Sequence, residues 1–293
     1  MDTIIKGIVK EEAILVVGLI DTETVEKARL IHDTYPTATA ALGRVITGAL
    51  LLSSSLKVNQ RLTLQISGSG PLKEIVTEVD WLQRVRGYVR RPHIYLGLKD
   101  GKLDVGRAIG KGFLNVIKDL GLTQSYRGTV PLQTGEIATD LAYYLTKSEQ
   151  IPSAVSIGVY VDTDNAVKAS GGFMVQVLPG AQETTIAFIE NRLRGLPPVS
   201  AMILNEMSLE EMLGDAIHLP IYFFDKKEIH YHCPCTKERV IDAIAALGAK
   251  EIGDMINKGE KLDIQCEFCK KDYVISQDEL RSMFEEMIQS TRR

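Results

Sequence analysis

The residues of this sequence best suited to chemistry are its four cysteines, Cys233, Cys235, Cys266 and Cys269. They form two close pairs with thirty residues between them. A tetrahedral zinc site takes four thiolates from two short loops that meet in space, and this spacing is typical of such a site. The sequence therefore predicts that these four side chains bind zinc.

The two pairs have different local settings. The second pair lies between two alternating runs, 262–264 and 273–275, which predicts a zinc knuckle at the tip of a hairpin. Pro234 separates the first pair, and because proline fixes φ and lacks a backbone donor, that loop is expected to be stiff. A helix pattern follows the first pair, and the N-terminus of a helix favours a nearby thiolate. Both pairs are therefore expected to ionise readily.

Two other interpretations of the cysteines stay open on the sequence alone. Disulfides in an exported domain would use the same residues, but the first six residues lack the apolar region of a signal peptide, which favours a reducing cytosol. A histidine could replace one thiol, and His230 and His232 are the candidates. These two alternate along a run with strand character, so ordinary strand side chains are the simpler interpretation while four thiols are available.

The sequence patterns of the segments that must position this site predict an α+β fold. At 293 residues with 45% hydrophobic content, the chain can bury one large core, or a large and a small one. Alternating apolar runs predict a hairpin within residues 4–20 and further strands up to residue 178, with helices clustered between them. This arrangement favours α+β over a doubly wound parallel sheet. We expect residues 1–178 to form a large domain of mixed sheet with packed helices.

The most apolar segment, residues 37–56, raises the question of a membrane span. It contains Arg44 and many small residues, so a helix buried between protein layers is expected there instead. We therefore expect no membrane partner.

Two smaller segments follow the large domain. Residues 179–231 are predicted to be a helical linker, in which Ser208 and Glu211 form a capping box. Helices this short are marginally stable alone and must dock on another surface. The linker is therefore expected to be a conditional element, folded only while it is docked. Residues 232–293 are predicted to be a small zinc-binding domain, whose final helix opens with a second capping box, Ser276 with Glu279. A unit of roughly this size hides only about 60% of its unfolded surface, so metal is expected to decide whether it folds.

No enzyme motif stands out in the sequence. A nucleophile elbow, an HExxH helix and paired catalytic carboxylates are all missing, so we expect a protein that is not an enzyme. Arg84, Arg86, Arg90 and Arg91 surround Tyr88, which makes a zinc-dependent nucleic-acid-binding protein the alternative. A net charge of −4, with 12 Lys and Arg against 13 Asp and Glu from position 226 onward, argues against a nucleic-acid partner.

The whole chain resembles the thirty-three kilodalton heat-shock protein family of redox-regulated chaperones. The resemblance rests on a C-x-C pair, Cys233 and Cys235, followed about thirty residues later by a C-x-x-C pair, Cys266 and Cys269, after an α+β region and a helical linker. It implies an ATP-independent holdase of the bacterial cytoplasm that binds unfolding client proteins under heat and oxidative stress. It also implies zinc in the reduced, inactive form and a homodimer in the oxidised form.

The resemblance implies two redox-active disulfides as well, Cys233 with Cys235 and Cys266 with Cys269. Zinc-bound thiolates react with peroxide or hypochlorous acid, and the resulting sulfenic acid condenses with a neighbouring thiol. Oxidation is therefore expected to expel the metal and to act as an unfolding signal.

Overall fold

The computed structural model describes residues 1–259 and 261–291, apart from the side chains of Ile186, Glu190, Gln289, Ser290 and Thr291. The chain divides into two units, Met1–His232 and Cys233–Arg293. The strands, in chain order, are β1 (Thr3–Val9), β2 (Ile14–Ile20), β3 (Arg61–Gly68), β4 (Glu74–Asp80), β5 (Arg84–Val89), β6 (Leu98–Lys99), β7 (Lys102–Leu103), β8 (Gly112–Asp119), β9 (Tyr126–Pro131), β10 (Ser153–Val161), β11 (Val167–Val177), β12 (Tyr222–Glu228), β13 (His230–Tyr231), β14 (Leu262–Gln265) and β15 (Asp272–Ile275). The helices are α1 (Thr22–His32), α2 (Pro36–Ser53), α3 (Val105–Ile109), α4 (Ala138–Lys147), α5 (Glu183–Arg194), α6 (Val199–Leu204), α7 (Leu209–Ile217), α8 (Lys237–Ala245), α9 (Ala249–Lys258) and α10 (Gln277–Thr291).

A five-stranded sheet in the order β10-β11-β2-β1-β12 forms the first layer of the large unit. Its four strand pairs are antiparallel. Strands β1 and β2 form the predicted N-terminal hairpin, with a single 3-10 turn between them and Ala13 in the left-handed region at φ 53°. In β2 every residue from Val16 to Leu19 is buried, and because successive side chains of a strand point to opposite faces, the sheet is covered on both sides.

A six-stranded sheet in the order β13-β5-β4-β3-β8-β9 forms the second layer. Its pairs are antiparallel except β13 with β5, which is parallel. The two separate sheets with helices clustered against them confirm the predicted α+β class.

Helix α2 fills the space between the two sheets. It packs on strands of both, and nearly every residue along it is buried, which confirms that the most apolar segment is a helix between protein layers. Arg44, the one charged residue in α2, forms an ion pair with Glu136. Within the described ranges, no helix has both the length and the apolar character that crossing a membrane requires.

The second face of the five-stranded sheet is covered by helices α5, α6 and α7. The predicted capping box opens α7, since Glu211 N donates to Ser208 Oγ over 3.2 Å and Ser208 N donates to Glu211 Oε2 over 2.8 Å. After α7 the chain returns as β12, which pairs with β1 at the edge of the same sheet. The segment 179–231 therefore contributes both a helical layer and an edge strand.

The core beneath these helices is apolar throughout. It combines sheet residues from β1, β2 and β11 with residues of the three helices. Its buried members are Ile5, Val9, Ile14, Val16, Phe173, Val175, Ile189, Val199, Met202, Leu209, Met212, Leu213, Ala216 and Ile217.

The small unit contains α8, α9, the β14–β15 hairpin and α10. Its core is much smaller than either core of the large unit. Its buried apolar side chains are Ile244, Ile252, Ile275, Leu280 and Met283. A second predicted capping box opens α10, where Glu279 N donates to Ser276 Oγ over 3.2 Å.

Candidate metal centre

Strands β14 and β15 carry the second cysteine pair at the turn that joins them. The predicted hairpin is confirmed, because the two strands pair antiparallel on either side of Cys266 and Cys269. Cys266 N donates to Lys271 O over 2.9 Å, and Lys270 N donates to Cys266 O over 2.8 Å. Lys270 completes the turn with φ 57°. Backbone hydrogen bonds therefore fix the loop that presents these two thiols.

The first pair immediately precedes α8, the helix expected there from the sequence. Thr236 is the N-cap of α8, and its Oγ1 accepts a hydrogen bond from Arg239 N over 3.3 Å. Arg239 Nη1 donates to Pro234 O over 3.0 Å. The Cys233-Pro-Cys235 loop is therefore held from the first turn of the helix as well as by the proline ring.

The structure brings all four predicted site residues together. Their Sγ atoms lie within 4.8 Å of one another, and each side chain is half-buried. The Sγ atoms of Cys233 and Cys266 are 3.8 Å apart, and those of Cys235 and Cys269 are 3.2 Å apart. A tetrahedron with metal–sulfur bonds of about 2.3 Å has sulfur–sulfur edges of about 3.8 Å. The cluster therefore has the size and the soft donors of a four-thiolate metal site.

The cluster contains no histidine. His230, one of the two sequence candidates, belongs to β13 and lies opposite Arg84 of β5. Its Nε2 is 3.3 Å from Glu228 Oε2. His230 is therefore an ordinary strand side chain.

Tyr273 is a residue of the site that the sequence patterns assigned only to a strand. Its Oη donates to Cys235 Sγ over 3.1 Å. The sequence contained a signal for this contact. Tyr273 follows Cys269 by four residues on the returning strand of the predicted hairpin, which places it close to the predicted zinc-binding tip.

Hydrogen bonds within the cluster shift the pKa values of Cys235 and Cys269 in opposite directions. Burial raises the pKa of Cys235, but hydrogen bonds from Tyr273 and the other three thiols outweigh burial and lower the pKa to about 7. Burial and the hydrogen bond with Cys235 raise the pKa of Cys269. The hydrogen bond to Cys235 raises the pKa of Tyr273, so its hydroxyl keeps its proton and remains a donor at neutral pH. The arrangement therefore favours the thiolate form of Cys235 over that of Cys269.

An ion pair joins the helices that flank the two cysteine pairs. Lys237 Nζ, at the start of α8, lies 2.6 Å from Glu279 Oε1, near the start of α10. Hydrogen bonds from Lys237 and from Ser276 lower the pKa of Glu279 to about 2, so this charge persists at neutral pH. Ion pairs that are exposed to solvent contribute little to stability, so this contact orients the two segments without holding them together alone.

A family model described as Hsp33 protein matches residues 2–276 of this chain. The chain belongs to the Hsp33 family. The match covers both cysteine pairs and all the strands and helices before α10, and it confirms the resemblance drawn from the sequence. Membership of the Hsp33 family makes the chain a chaperone, and the family is not enzymatic.

Individual Hsp33 proteins are similar over nearly their whole length. The 33 kDa chaperonin of Thermodesulfovibrio yellowstonii is 55% identical over 287 residues, covering 98% of this chain and 100% of that protein. The 33 kDa chaperonin of Enterococcus faecalis is 40% identical over 298 residues, covering 100% and 99%. The crystal structure of the 33 kDa chaperonin (heat shock protein 33 homolog) from Thermotoga maritima superposes with a TM-score of 0.89 at 37% identity, covering 98% of this chain and 99% of that one.

The basic cluster that suggested nucleic acid begins on β5, where Arg84, Arg86 and Tyr88 share one face of the strand, and Arg90 and Arg91 follow the strand directly. Arg84 Nη2 lies 2.6 Å from Asp80 Oδ2, and Arg86 forms an ion pair with Glu78 on the neighbouring strand. Cross-strand pairs of opposite charge are common on solvated sheet faces. The interpretation of these arginines as part of a solvated strand face is therefore favoured.

Proposed function

We propose that this Hsp33 chaperone is a redox-regulated holdase, which binds unfolding client proteins without ATP once its cysteines are oxidised. The observation that carries the proposal is a cluster of four thiols in a unit with a very small apolar core. In this proposal residues 1–178 are the chaperone core, residues 179–231 the linker and residues 232–293 the redox switch. It assigns no catalytic residue.

Zinc is the metal that best fits the cluster, and Cys233, Cys235, Cys266 and Cys269 are its proposed ligands. Four thiolates in a tetrahedral arrangement are typical of structural zinc. When bound, zinc would hold all four sulfurs as thiolates and join two loops that are thirty residues apart. The chain supports this state through Tyr273, whose hydroxyl donates to Cys235 and stabilises the thiolate there.

The small core explains why the metal would control folding of the switch. Burying an apolar side chain contributes about 1.5 to 3 kcal/mol, and the described part of this unit buries only a handful of them. Ordering each residue costs about 1 to 2 kcal/mol of backbone entropy alone. Structural zinc contributes about 10 to 16 kcal/mol of apparent binding free energy in small peptides. Loss of the metal therefore removes more stability than this unit has to spare.

The linker is the element through which the switch would act on client binding. Helices α5 to α7 cover an apolar face of the sheet, and β12 and β13 follow them directly before Cys233. Short helices of this kind persist only while docked. In our proposal, unfolding of the switch loosens the adjoining linker, and release of α5 to α7 uncovers the apolar sheet face for clients.

Oxidation of the thiols supplies the trigger. One thiolate attacks hydrogen peroxide, whose O–O bond breaks, and the products are a sulfenic acid and hydroxide. A second thiol then attacks the sulfenic sulfur, and the disulfide forms with release of water. Each disulfide removes two of the four proposed ligands. In the folded cluster the Sγ atoms of different pairs lie as close as 3.2 Å and 3.8 Å, and all four lie within 4.8 Å of one another. The folded geometry therefore does not by itself select pairing within each motif.

We expect peroxide with mild heat to release zinc and to produce the disulfides Cys233–Cys235 and Cys266–Cys269. Once the site opens, the entropy of loop closure favours partners two or three residues away over partners some thirty residues away. Peptide mapping by mass spectrometry identifies the pairs, and a chromogenic chelator follows the released metal. A majority of disulfides between the two motifs, such as Cys235–Cys269, would show that oxidation is completed inside the folded cluster and would contradict this model.

Light scattering tests the function itself. Protein treated with oxidant at raised temperature is expected to suppress aggregation of a thermally unfolding enzyme, and reduced zinc-bound protein is expected not to. Oxidised protein returned to dithiothreitol and zinc serves as the control, since it should lose the activity. Equal suppression by both forms would remove the redox switch from the proposal, and suppression by neither would remove the holdase function.

Two further features of the proposal come from the family resemblance. They are a cytoplasmic location and a homodimer in the oxidised state. The reducing cytosol keeps thiols reduced until an oxidant appears, which suits a switch built from four cysteines.

A further inference from the structure

Three of the eight methionines lie close together in the linker, and the proposed function gives them no role. They are Met202 in α6, Met207 in the loop that follows and Met212 in α7. Met202 and Met212 are each only 1% exposed, and Met207 packs partly buried against the same apolar core. The docked linker helices therefore bury two thioether sulfurs against the five-stranded sheet.

The surroundings of Met202 and Met212 are apolar. In the part of the chain that the structure describes, none of the fully buried polar side chains belongs to α5, α6 or α7. Ser170 and Gln176 of β11 are buried and polar, but strand alternation places them on the same face as Met174, which packs in the core between the two large sheets. An oxygen added to either linker sulfur would therefore have no fully buried side-chain donor among the described residues.

Thioether sulfur is a second target for one of the oxidants that react with zinc-bound thiolates. The sulfur attacks the chlorine of hypochlorous acid, the O–Cl bond breaks and hydroxide leaves. Water then adds to the chlorinated sulfur, chloride is expelled and two protons are lost, which leaves a sulfoxide. Sulfur is oxidised by two electrons, and chlorine is reduced to chloride. The reaction converts an apolar side chain into a polar one.

Access to the sulfurs determines when this reaction occurs. While α6 and α7 are docked, Met202 and Met212 are shielded from any oxidant in solution. In the function proposed above, oxidation of the cysteines releases these helices, and both sulfurs then meet solvent. Met174 is the contrasting case, because it is 2% exposed in the core between the sheets and does not depend on the linker helices for its burial. Release of the linker therefore exposes Met202 and Met212 and leaves Met174 covered.

We propose that Met202 and Met212 form a second oxidation site, which hypochlorous acid modifies once the linker is released and which then keeps the linker undocked. The inference rests on the proposed function for that release. A polar group buried without a partner is unfavourable, so each sulfoxide is expected to weaken redocking about tenfold or more. Thiols reverse a disulfide, whereas a methionine sulfoxide needs its own reductase. The chaperone therefore stays active after its cysteines have been reduced and zinc has returned.

Hydrogen exchange after one cycle of oxidation and reduction tests the proposal. One sample of wild type is activated with hypochlorous acid and another with peroxide, which reacts far faster with thiolates than with thioethers. Both samples are then returned to dithiothreitol and zinc. Mass spectrometry of the hypochlorous acid sample should find sulfoxide at Met202 and Met212 but not at Met174. Amides of residues 199–217 in that sample should exchange about tenfold faster than in the peroxide sample, and only that sample should still suppress aggregation.

Two comparisons assign this effect to the two sulfurs. Methionine sulfoxide reductases A and B, added to the hypochlorous acid sample, are expected to restore slow exchange and to end the activity. The double variant Met202→Leu, Met212→Leu keeps the volume of both side chains, so it is expected to dock when reduced and to redock after either oxidant. Met174→Leu is the matched control, and it is expected to stay undocked after hypochlorous acid as wild type does.

Three results overturn the inference. They are Met202 and Met212 left unoxidised in protein that hypochlorous acid has activated, equal redocking of the two wild-type samples, and a double variant that stays undocked after hypochlorous acid. Should the double variant fail to dock even when reduced, the reductases decide on wild type alone, since fast exchange that persists after removal of the sulfoxides also overturns the inference. Failure of the proposed function has a different signature, because oxidised wild type then suppresses no aggregation in the first cycle, before any reduction.

Discussion

The double variant Cys266→Ser, Cys269→Ser is expected to lose its zinc and to unfold over residues 233–293, while the core between the two large sheets stays folded. Two serine hydroxyls in place of two thiolates leave too few soft donors for a structural zinc site. The unit then relies on its own apolar core. The loss of about 10 to 16 kcal/mol of apparent metal-binding free energy exceeds or matches the net stability of a typical domain, about 5 to 15 kcal/mol.

Metal analysis of the zinc content and hydrogen exchange of the backbone amides test this prediction together. The variant should contain zinc near zero per chain, and amides in α8, α9 and α10 should exchange without protection. Val274→Ser is the matched control, because Val274 lies in β15 of the same hairpin with 46% of its surface exposed and is not a proposed ligand. It should retain zinc and protection. Protected amides throughout residues 233–293 in zinc-free, reduced protein would contradict the view that metal controls this fold.

Leu213→Asp is expected to give chaperone activity in the reduced, zinc-bound protein. Leu213 is fully buried under α7, over Gly18 of β2, where a β-carbon on Gly18 would lie 3.0 Å from Leu213 Cδ1. Truncating a buried leucine costs about 2 to 5 kcal/mol, and burying a carboxylate there costs several kcal/mol more. The helices α5 to α7 are short, so a loss of this size should release them from the sheet.

Hydrogen exchange and light scattering test this second prediction in parallel. Amides of residues 181–217 should exchange fast in Leu213→Asp while those of the zinc-bound unit stay protected, and the reduced variant should suppress client aggregation. Leu213→Met is the matched control, since it keeps the volume and costs less than about 1.5 kcal/mol. It should remain docked and inactive. Fast exchange in this segment without client protection would show that linker release does not activate the chaperone.

Local features of this chain were predictable from the sequence because their causes are local. The spacing of the cysteines led to the cluster, and the Ser208 and Ser276 capping boxes marked where α7 and α10 begin. The buried character of α2 also followed from its composition, since a helix apolar on all sides must lie between layers.

Other features depend on partners that are distant in the chain. Strand β12 was not predicted within the expected helical linker, because its sequence has three aromatic residues followed by four charges and no two-residue period. Pairing with β1 overrides that weak local signal. The hydrogen bond from Tyr273 to Cys235 likewise depends on how two segments 38 residues apart meet, which neither segment specifies alone.

The pairing of β1 with β12 also constrains how a newly made chain acquires its structure. Thr3 lies opposite Glu228 and Ile8 opposite Tyr222, so the partners are 214 to 225 residues apart. At about 5 to 20 residues per second, the ribosome completes β12 roughly ten to forty-five seconds after β1. Throughout that interval the edge of β1 has no neighbour, and the helices that cover the second face of the sheet are made late as well. Each nascent copy of this chaperone therefore passes through a stage in which it presents an open sheet edge and a bare apolar face, the same surfaces that make other unfolded proteins aggregate.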